Sequence, residues 1–245
     1  NNGGSNYLAN FRIEDTTKVV YPSSGVFCKS QNSLVIPQIE GRTGGTFSAS
    51  PGLSIDNRNG AFTPYENNSG TYLITYQYSD SGGCTRQSRS TIIINDNPTV
   101  TLNSPTTCSN QSAVLTATPN PTGTTYSYAW TLPLGVNNPG NVSSFSTTVA
   151  GTYIVSATNT TTNCTSALAS GTVTVYPVYN VTVYDTICSG STYVLPWGGS
   201  ANSSATYTHT YHTTASTGAC DSIVTIQLYV RQSPVVSVSN ANLDV

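Results

Sequence analysis

The chain has few charged side chains, only two histidines and no methionine. Asp, Glu, Lys and Arg make up 7% of its 245 residues, against about 25% in ordinary soluble proteins. Of these 18 residues, 14 precede residue 98, and none lies between Pro98 and Tyr184. A net charge of −2 provides no basic field for nucleic acid or an anionic membrane. We therefore expect no nucleic-acid partner, no cofactor and no enzymatic activity.

Several targeting and structural signals are also missing. The sequence has no initiator Met, no apolar signal-peptide core and no long apolar run, so we expect a fragment or processed product that does not insert into a membrane. Helical periodicity of useful length is absent as well. What is present is abundant Thr, Ser and Asn with 16 Tyr, which is typical of half-buried strands joined by polar turns.

Three repeats can be recognised along the chain. The motif of residues 70–75 returns at 151–156 and, more loosely, at 205–210. Each copy is followed by a cysteine and then by an alternating apolar run, at 91–95, 172–176 and 223–230. Alternation with period two indicates strands with one buried face. The sequence predicts an all-β protein made of tandem immunoglobulin-like β-sandwich domains in a rod-like array.

Proline-bearing junctions predict the domain boundaries. We expect an N-terminal segment or the end of a preceding repeat at 1–14, repeats at 15–97, 98–176 and 177–232, and the start of a further repeat at 233–245. The third repeat is shorter than the others. In the second repeat, Trp130 is expected in the core, and six strands are predicted, at 99–103, 113–118, 125–131, 144–149, 152–158 and 171–176.

Each repeat has one early cysteine (Cys28, Cys108, Cys188) and one late cysteine (Cys84, Cys164, Cys220). An even count without a CxxC pair favours disulfides over zinc and indicates an oxidising compartment. Pairing within a repeat is the simplest hypothesis, giving Cys28–Cys84, Cys108–Cys164 and Cys188–Cys220. In an ordinary sandwich topology, however, these positions lie near opposite ends, and a bond requires Cα atoms within about 7 Å. The pairing holds only if the early cysteine lies suitably on a strand beside the last one, or if the strand assignment is shifted.

Candidate reactive sites are sparse. His209 and His212 lie near Asp221 and many serines, but without a nucleophile motif we interpret them as structural or exposed. Asp96 lies in a junction that looks like the calcium-binding linker of cadherins, yet the second repeat offers no carboxylate to complete a calcium shell. Tyrosines on strands could form a carbohydrate-binding face or could simply be half-buried; the candidates are Tyr65, Tyr76, Tyr78, Tyr193, Trp197, Tyr207 and Tyr211.

Short motifs give the chain a family resemblance. Residues 98–175 resemble the immunoglobulin-like or PKD-like repeats of giant secreted adhesins of the Bacteroidota, through Thr107-Cys108-Ser109, Tyr128-Ala129-Trp130, Asn138-Pro139-Gly140 and Gly151-Thr152-Tyr153. The first repeat is similar to another repeat type of these proteins, through residues 44–48 and 52–56. The third resembles a type with Asp185-Thr186-Ile187-Cys188 and Cys220-Asp221-Ser222-Ile223-Val224.

The resemblance implies type IX secretion and display at the cell surface as a filament, as in gliding-motility adhesins. It also implies O-glycosylation at Asp-Ser/Thr sequences, here at Thr16, Thr186 and Ser222. The expected function is structural and adhesive, with surface polysaccharides or extracellular proteins as partners, or with self-association into filaments. The alternatives are carbohydrate-binding accessory domains of a secreted hydrolase and calcium-stiffened adhesin repeats.

Overall fold

Buried side chains group into three separate hydrophobic cores that follow one another along the chain. The computed structural model describes residues 16–212 and 220–236. We call the strands around the three cores unit 1 (18–95), unit 2 (99–176) and unit 3 (180–231). The fold is all-β with tandem immunoglobulin-like β-sandwich domains, as predicted. The predicted segment 1–14 and residues 237–245 lie outside the described residues.

Unit 1 has a core rich in aromatic rings. Its longest strands alternate buried and exposed residues, so one face of the sheet turns to the interior. Tyr76 packs there against Phe47 and Tyr78, with ring centroids 4.6 and 5.7 Å away. The strands are β1 (Lys18–Val20), β2 (Val26–Cys28), β3 (Gln38–Glu40), β4 (Thr46–Ala49), β5 (Gly70–Ser79) and β6 (Thr85–Asn95), with 3-10 turns at Pro22–Gly25 and Pro64–Glu66. They form the sheets β2-β6-β5-β4 and β1-β3.

Unit 2 packs a four-stranded sheet, β10-β12-β13-β8, against a three-stranded sheet, β11-β9-β7. All six predicted strands are present, and the structure adds the short strand β8. The strands are β7 (Thr99–Leu102), β8 (Thr106–Cys108), β9 (Ala113–Asn120), β10 (Tyr126–Thr131), β11 (Ser144–Thr147), β12 (Gly151–Asn159) and β13 (Ala169–Tyr176). Leu115, Tyr153 and Val173 are fully buried between the sheets.

Trp130 lies at the margin of the unit 2 core instead of filling it. The side chain is only half-buried. Its ring meets Phe145 edge-on at 4.9 Å, and its Nε1–H donates to the Val142 carbonyl at 3.0 Å. An indole at the rim can keep this polar partner, which a fully apolar interior would not supply.

Unit 3 is the thinnest of the three. It has the sheet β14-β18-β17 and a ribbon, β15-β16. Leu195, Ala201, Ile226 and Leu228 form its buried core, whereas most side chains of the first strand are exposed. The strands are β14 (Asn180–Cys188), β15 (Tyr193–Val194), β16 (Ser200–Ala201), β17 (Ala205–Tyr211) and β18 (Ser222–Arg231).

The same three strands recur at the centre of every unit. A strand that ends in the early cysteine runs parallel to the unit's last strand, as β2 with β6, β8 with β13 and β14 with β18. An antiparallel strand flanks the last strand on its other side, as β5, β12 and β17. This arrangement gives every unit two poles, one where the last strand begins and one where it ends.

No helix in the described part of the chain is long and apolar enough to cross a membrane.

Candidate functional site: the disulfide-bonded junctions

The early cysteine lies at the pole where the chain leaves each unit. It is the last residue of the parallel strand and pairs with the final residue of the unit's last strand. The backbone N–H that follows it donates to the carbonyl of that final residue at 2.8 Å in all three units. The three pairs are Cys28 with Asn95, Cys108 with Tyr176 and Cys188 with Arg231.

The late cysteine lies at the opposite pole. Cys84 is in the turn between β5 and β6, and Cys164 is in the turn between β12 and β13. Cys220 lies two residues before the start of β18. Every late cysteine is therefore near the beginning of its unit's last strand, and every early cysteine is near the end of that strand.

A carboxylate organises the turn that carries Cys84. Asp80 Oδ1 accepts hydrogen bonds from the backbone N–H groups of Gly82 and Cys84, both at 2.9 Å, and Arg86 Nε donates to Oδ2 at 2.9 Å. The Cys84 N–H and then the Arg86 guanidinium hold the pKa of the Asp80 carboxyl below its usual value, because both stabilise the charged form. The turn is thus fixed by hydrogen bonds to one ionised group.

The turn that carries Cys164 uses a neutral side chain for the same purpose. Asn159 Oδ1 accepts from the N–H groups of Thr161 and Thr162, at 2.9 and 3.2 Å. Its backbone N–H donates to the Cys164 carbonyl at 2.9 Å, as the Asp80 N–H does to the Cys84 carbonyl. An Asx-type side chain closes both turns.

Two disulfides join successive units. Cys28 of unit 1 is bonded to Cys164 of unit 2, and Cys108 of unit 2 is bonded to Cys220 of unit 3, with Cα–Cα distances of 5.5 and 5.7 Å. Both separations suit an ordinary disulfide. Each bond connects the early cysteine of one unit to the late cysteine of the next, across a junction.

The predicted pairings Cys28–Cys84, Cys108–Cys164 and Cys188–Cys220 are therefore wrong, and Cys84 and Cys188 are free and exposed in this structure. The early cysteine does lie on a strand beside the last one, but at the far end of that strand. The length of β6 separates the two cysteines of unit 1 by about 35 Å at roughly 3.3 Å per residue. A disulfide cannot cover this distance.

Polar side chains reinforce the first junction. Asn97 Oδ1 accepts from the backbone N–H of Ser30 at 2.8 Å, and Asn97 Nδ2 donates to Ser30 Oγ at 2.8 Å and to the Thr165 carbonyl at 2.7 Å. The Asn97 amide thus joins unit 1 to unit 2 next to the first disulfide. At the second junction, the Val178 N–H donates to Ser109 Oγ at 3.0 Å.

An open groove of about 840 Å³ lies beside the first disulfide. Residues of both units line it, among them Lys29 and Tyr65 from unit 1 and Leu168 from unit 2. The Tyr65 ring is 62% exposed and Leu168 is 73% exposed. The groove therefore presents an aromatic face, an aliphatic side chain and nearby hydrogen-bonding groups to solvent.

The structure does not assemble a metal site around Asp96. Its Oδ2 accepts a hydrogen bond from Ser69 Oγ at 2.7 Å. In the described ranges, no three His, Cys, Asp or Glu side chains gather in a group that could hold an ion. Asp96 acts here as a local hydrogen-bond acceptor at the end of unit 1.

The two histidines lie at the surface of unit 3 and are separately engaged. His212 Nδ1 is 3.1 Å from Asp221 Oδ2. These are two of the residues that the sequence analysis considered for a catalytic triad. His209 instead stacks on Trp197, with ring centroids 5.2 Å apart. This geometry gives His209 a stacking contact and His212 a polar contact with Asp221.

The tyrosine candidates for a carbohydrate-binding face divide by exposure. Tyr76 and Tyr78 are buried in the unit 1 core, whereas Tyr65 and Tyr211 are exposed. Tyr65 alone among these four lines the groove at the first junction.

The predicted glycosylation residues differ in accessibility. Thr16 and Thr186 are exposed, and Ser222 is half-buried at the start of β18. The Thr186 N–H donates to Asp185 Oδ1 at 2.7 Å, so the Asp side chain folds back on its own backbone. Modification at these three positions stays a prediction.

No protein-family model and no curated protein matches the chain. Solved structures with a likeness include a titin I9–I11 tandem, with 9% identity, a TM-score of 0.32 and coverage of 91% of this chain and 99% of that one. Drosophila N-cadherin EC1-4 has 11% identity and a TM-score of 0.27, covering 89% and 76%. Murine CEACAM1b has 11% identity and a TM-score of 0.30, covering 66% and 100%. At these TM-scores the likeness defines neither a family nor a function.

Sequence reasoning missed the residues that connect the units. Ser30 and Thr165 directly follow Lys29 and Cys164, and nothing in their residue type distinguishes them from dozens of other hydroxyl residues. Asn97 carried a usable signal, since an Asn before a Pro at a domain boundary is well placed to bridge neighbouring turns. The cysteines carried the clearest signal for connections between units. Early and late cysteines alternate regularly along the chain, and this order fits bonds between successive repeats as well as bonds within a repeat.

Proposed function

We propose that the chain is a non-enzymatic structural and adhesive repeat segment that transmits load along an extracellular filament or adhesin. We assign its repeats to residues 15–97, 98–176 and 177–232, with a further repeat beginning at 233. The observation that carries this proposal is that both disulfides cross the junctions between units. Disulfides are typical of proteins in oxidising surroundings such as the cell exterior.

The two bonds close overlapping loops, and this has a mechanical consequence. The loop from Cys28 to Cys164 overlaps the loop from Cys108 to Cys220. Three lengths of chain connect the two bonds, namely residues 28–108, 108–164 and 164–220. The last two span about 56 residues each and the first about 80, so the two shorter lengths become taut together when the units unfold. These two lengths of chain share the load between the bonds.

The bonds also limit extension if the units unfold. Between Cys28 and Cys220 the covalent path shortens from about 192 to about 56 residues, which at roughly 3.5 Å per residue is about 670 against 200 Å. Unfolding under tension would therefore release less than a third of the chain between these points. A repeat segment with this property resists overextension without needing a large core in every unit.

Single-molecule stretching tests the proposal. Handles attached at the two ends of the chain should record the gain in contour length on complete unfolding. We expect this gain to be about 480 Å larger for the reduced protein than for the oxidised one, at roughly 3.5 Å per residue, because reduction frees the chain between Cys28 and Cys220. The double variant C28S/C108S should show the longer gain without reductant. An unchanged contour length after reduction would contradict the load-sharing role.

The finer assignment comes from the resemblance of the repeats. We propose a bacterial surface adhesin of the gliding-motility type, exported by type IX secretion and O-glycosylated at Thr16, Thr186 and Ser222. Its partners would be surface polysaccharides, other extracellular proteins or further copies of itself. Intact-mass measurement of the protein from its native host tests the modification, since three occupied sites would each add the same glycan mass.

One observation favours a second candidate function, the binding of a carbohydrate at the first junction. The groove offers the exposed Tyr65 ring for a sugar face and the Lys29 side chain nearby for hydroxyl groups. A glycan array should then show binding by the native protein that is lost in Tyr65→Ala and kept in Tyr229→Ala, an equally exposed ring in unit 3. Equal binding by both variants would remove the groove from consideration.

A further inference from the structure

The two free cysteines occupy positions whose counterparts in the neighbouring units are disulfide-bonded. Cys188 is an early cysteine, like Cys28 and Cys108, and Cys84 is a late cysteine, like Cys164 and Cys220. Both observed bonds follow one rule, in which the early cysteine of a unit bonds to the late cysteine of the unit after it. Cys188 has no following unit within the described residues, and Cys84 has no preceding one.

The backbone around Cys188 reproduces that of the bonded early cysteines. The residue after it donates its N–H to the last residue of the final strand at 2.8 Å, as in units 1 and 2. Three residues after each early cysteine, a further N–H returns to the cysteine carbonyl, at 3.0 Å in unit 3 and 2.9 Å in the other two. The Cys188 side chain therefore starts from the same local framework that carries Cys28 and Cys108 to their partners.

The turn at Cys84 likewise reproduces that of the bonded Cys164. In both, the N–H of the closing Asx residue donates to the cysteine carbonyl at 2.9 Å. The residue before the cysteine is in the left-handed region in both, Gly83 at φ +80° and Asn163 at φ +58°. The residues that most readily adopt this conformation are Gly and Asn. Both turns thus present the thiol from the pole that faces a preceding unit.

From this repeated geometry we infer that Cys188 and Cys84 each form a further inter-repeat disulfide, with a repeat of this architecture at the adjoining pole. Cys188 takes the late cysteine of a following repeat, and Cys84 takes the early cysteine of a preceding one. Cys84 lies at the entry pole of unit 1 and Cys188 at the exit pole of unit 3, and they are not bonded to one another in this structure. Two copies of this chain can, however, join head to tail through Cys188 of one and Cys84 of the other.

The bond forms by thiol–disulfide exchange with a small-molecule disulfide such as oxidised glutathione. The Cys188 thiolate attacks one glutathione sulfur, the glutathione S–S bond breaks, and one glutathione leaves as a thiolate. The Cys84 thiolate of the second copy then attacks the Cys188 sulfur, and the second glutathione leaves. Two protein thiols are oxidised, two glutathione molecules are formed, and the two protons lost by the cysteines are taken up by the leaving thiolates.

This assignment rests on the tandem-repeat function proposed above, but its experiment identifies bonded cysteines and measures neither adhesion nor extension. Each can therefore fail without the other.

The test is to mix the full-length variants C84S and C188S in a glutathione redox buffer and to identify the cross-linked peptides by mass spectrometry. C84S retains Cys188 and C188S retains Cys84, while both keep the two internal disulfides. We expect mixed dimers bonded Cys188–Cys84 in clear excess over the two symmetric dimers. The unaltered chain should form a ladder of oligomers on a non-reducing gel, whereas each variant alone should stop at the dimer.

A matched control moves the thiol within the same exposed turn. The variant S81C/C84S/C188S keeps an accessible cysteine near the pole but takes it out of the hydrogen-bonded position of Cys84, so its bonds with C84S should be no more frequent than chance pairing. Statistical amounts of symmetric and mixed dimers in the main experiment, or glutathione adducts without dimers, would overturn the assignment.

Discussion

Units 1 and 3 share the arrangement of their central strands but differ greatly in what they bury. Among the residues that the structure describes, the unit 1 core contains thirteen buried hydrophobic side chains and the unit 3 core contains four. Because the stabilisation of a domain grows with the apolar area that it removes from water, unit 1 is expected to fold by itself. Unit 3 is expected to depend on its neighbour.

The difference shows that a strand arrangement and a core are separable properties. Backbone hydrogen bonds set the parallel pairing of β14 with β18 over nine residue pairs, although most β14 side chains face solvent. The Cys108–Cys220 bond then attaches unit 3 to unit 2 close to the start of β18. A covalent connection at this point reduces the freedom of the unfolded third unit, where hydrophobic burial contributes least.

The largest expected effect is the loss of unit 3 when its disulfide is removed. C108S/C220S should lower the free energy of unfolding of unit 3 by about 3–5 kcal/mol, enough to unfold a unit with so small a core. C28S/C164S should leave unit 1 folded, because its aromatic core does not depend on that bond. Native-state hydrogen exchange at the amides of Ile226 and Ile92 reports on the two units separately. Equal loss of protection in both would show that core size does not distinguish them.

A smaller effect is expected from truncating one buried isoleucine in each unit. Ile226 and Ile92 are both fully buried, so Ile226→Ala and Ile92→Ala remove the same atoms at a cost of about 2–4 kcal/mol each. Because unit 3 has a small free energy of unfolding, Ile226→Ala should unfold it at ambient temperature. Ile92→Ala should lower the melting temperature of unit 1 but leave the unit folded. Calorimetry with both internal disulfides intact compares the variants. Survival of unit 3 in Ile226→Ala would mean that its disulfide alone keeps it folded.

The sequence predicted the strands far better than the connections between units. Period-two alternation located β6, β13 and β18 because one face of each strand is at least partly buried, and burial imposes the pattern on the residues themselves. The short strand β8 went unpredicted, since three residues are too few to show alternation. The disulfide partners depend on which pole each cysteine occupies, and that follows from the parallel pairing of β2 with β6, a long-range contact that leaves no periodic trace. The Asn97 hydrogen bonds depend in turn on that same placement.

A modest effect is expected at the first junction. Asn97→Ala removes hydrogen bonds from Asn97 to Ser30 and Thr165, and we expect it to weaken the coupling of units 1 and 2 by about 1–2 kcal/mol. The separate melting transitions of the two units should move apart in calorimetry. Asn138→Ala serves as the control, because the Asn138 side chain bonds only to the nearby Gly140 N–H among the contacts described for it. The same shift in both variants would indicate a general surface effect.

The smallest expected effect is a pH dependence of the turn that carries Cys84, which the corresponding turn at Cys164 should lack. The pKa of Asp80 in the folded chain lies below its ordinary value of 3.8, first because of the Cys84 N–H and then because of Arg86. The stabilisation is therefore fully present above that ordinary value and is lost as the pH falls through the lower folded value. Protection of the Cys84 amide from exchange, corrected for the intrinsic rate, should decline in acid.

Asp80→Asn should abolish this pH dependence, since an amide cannot ionise. The turn at Cys164 should not show it either, because Asn159 already holds that position. A Cys84 amide that keeps its protection through the same acid range would show that Asp80 closes the turn equally well when protonated, and that charge is not what separates this pole of unit 1 from its counterpart in unit 2.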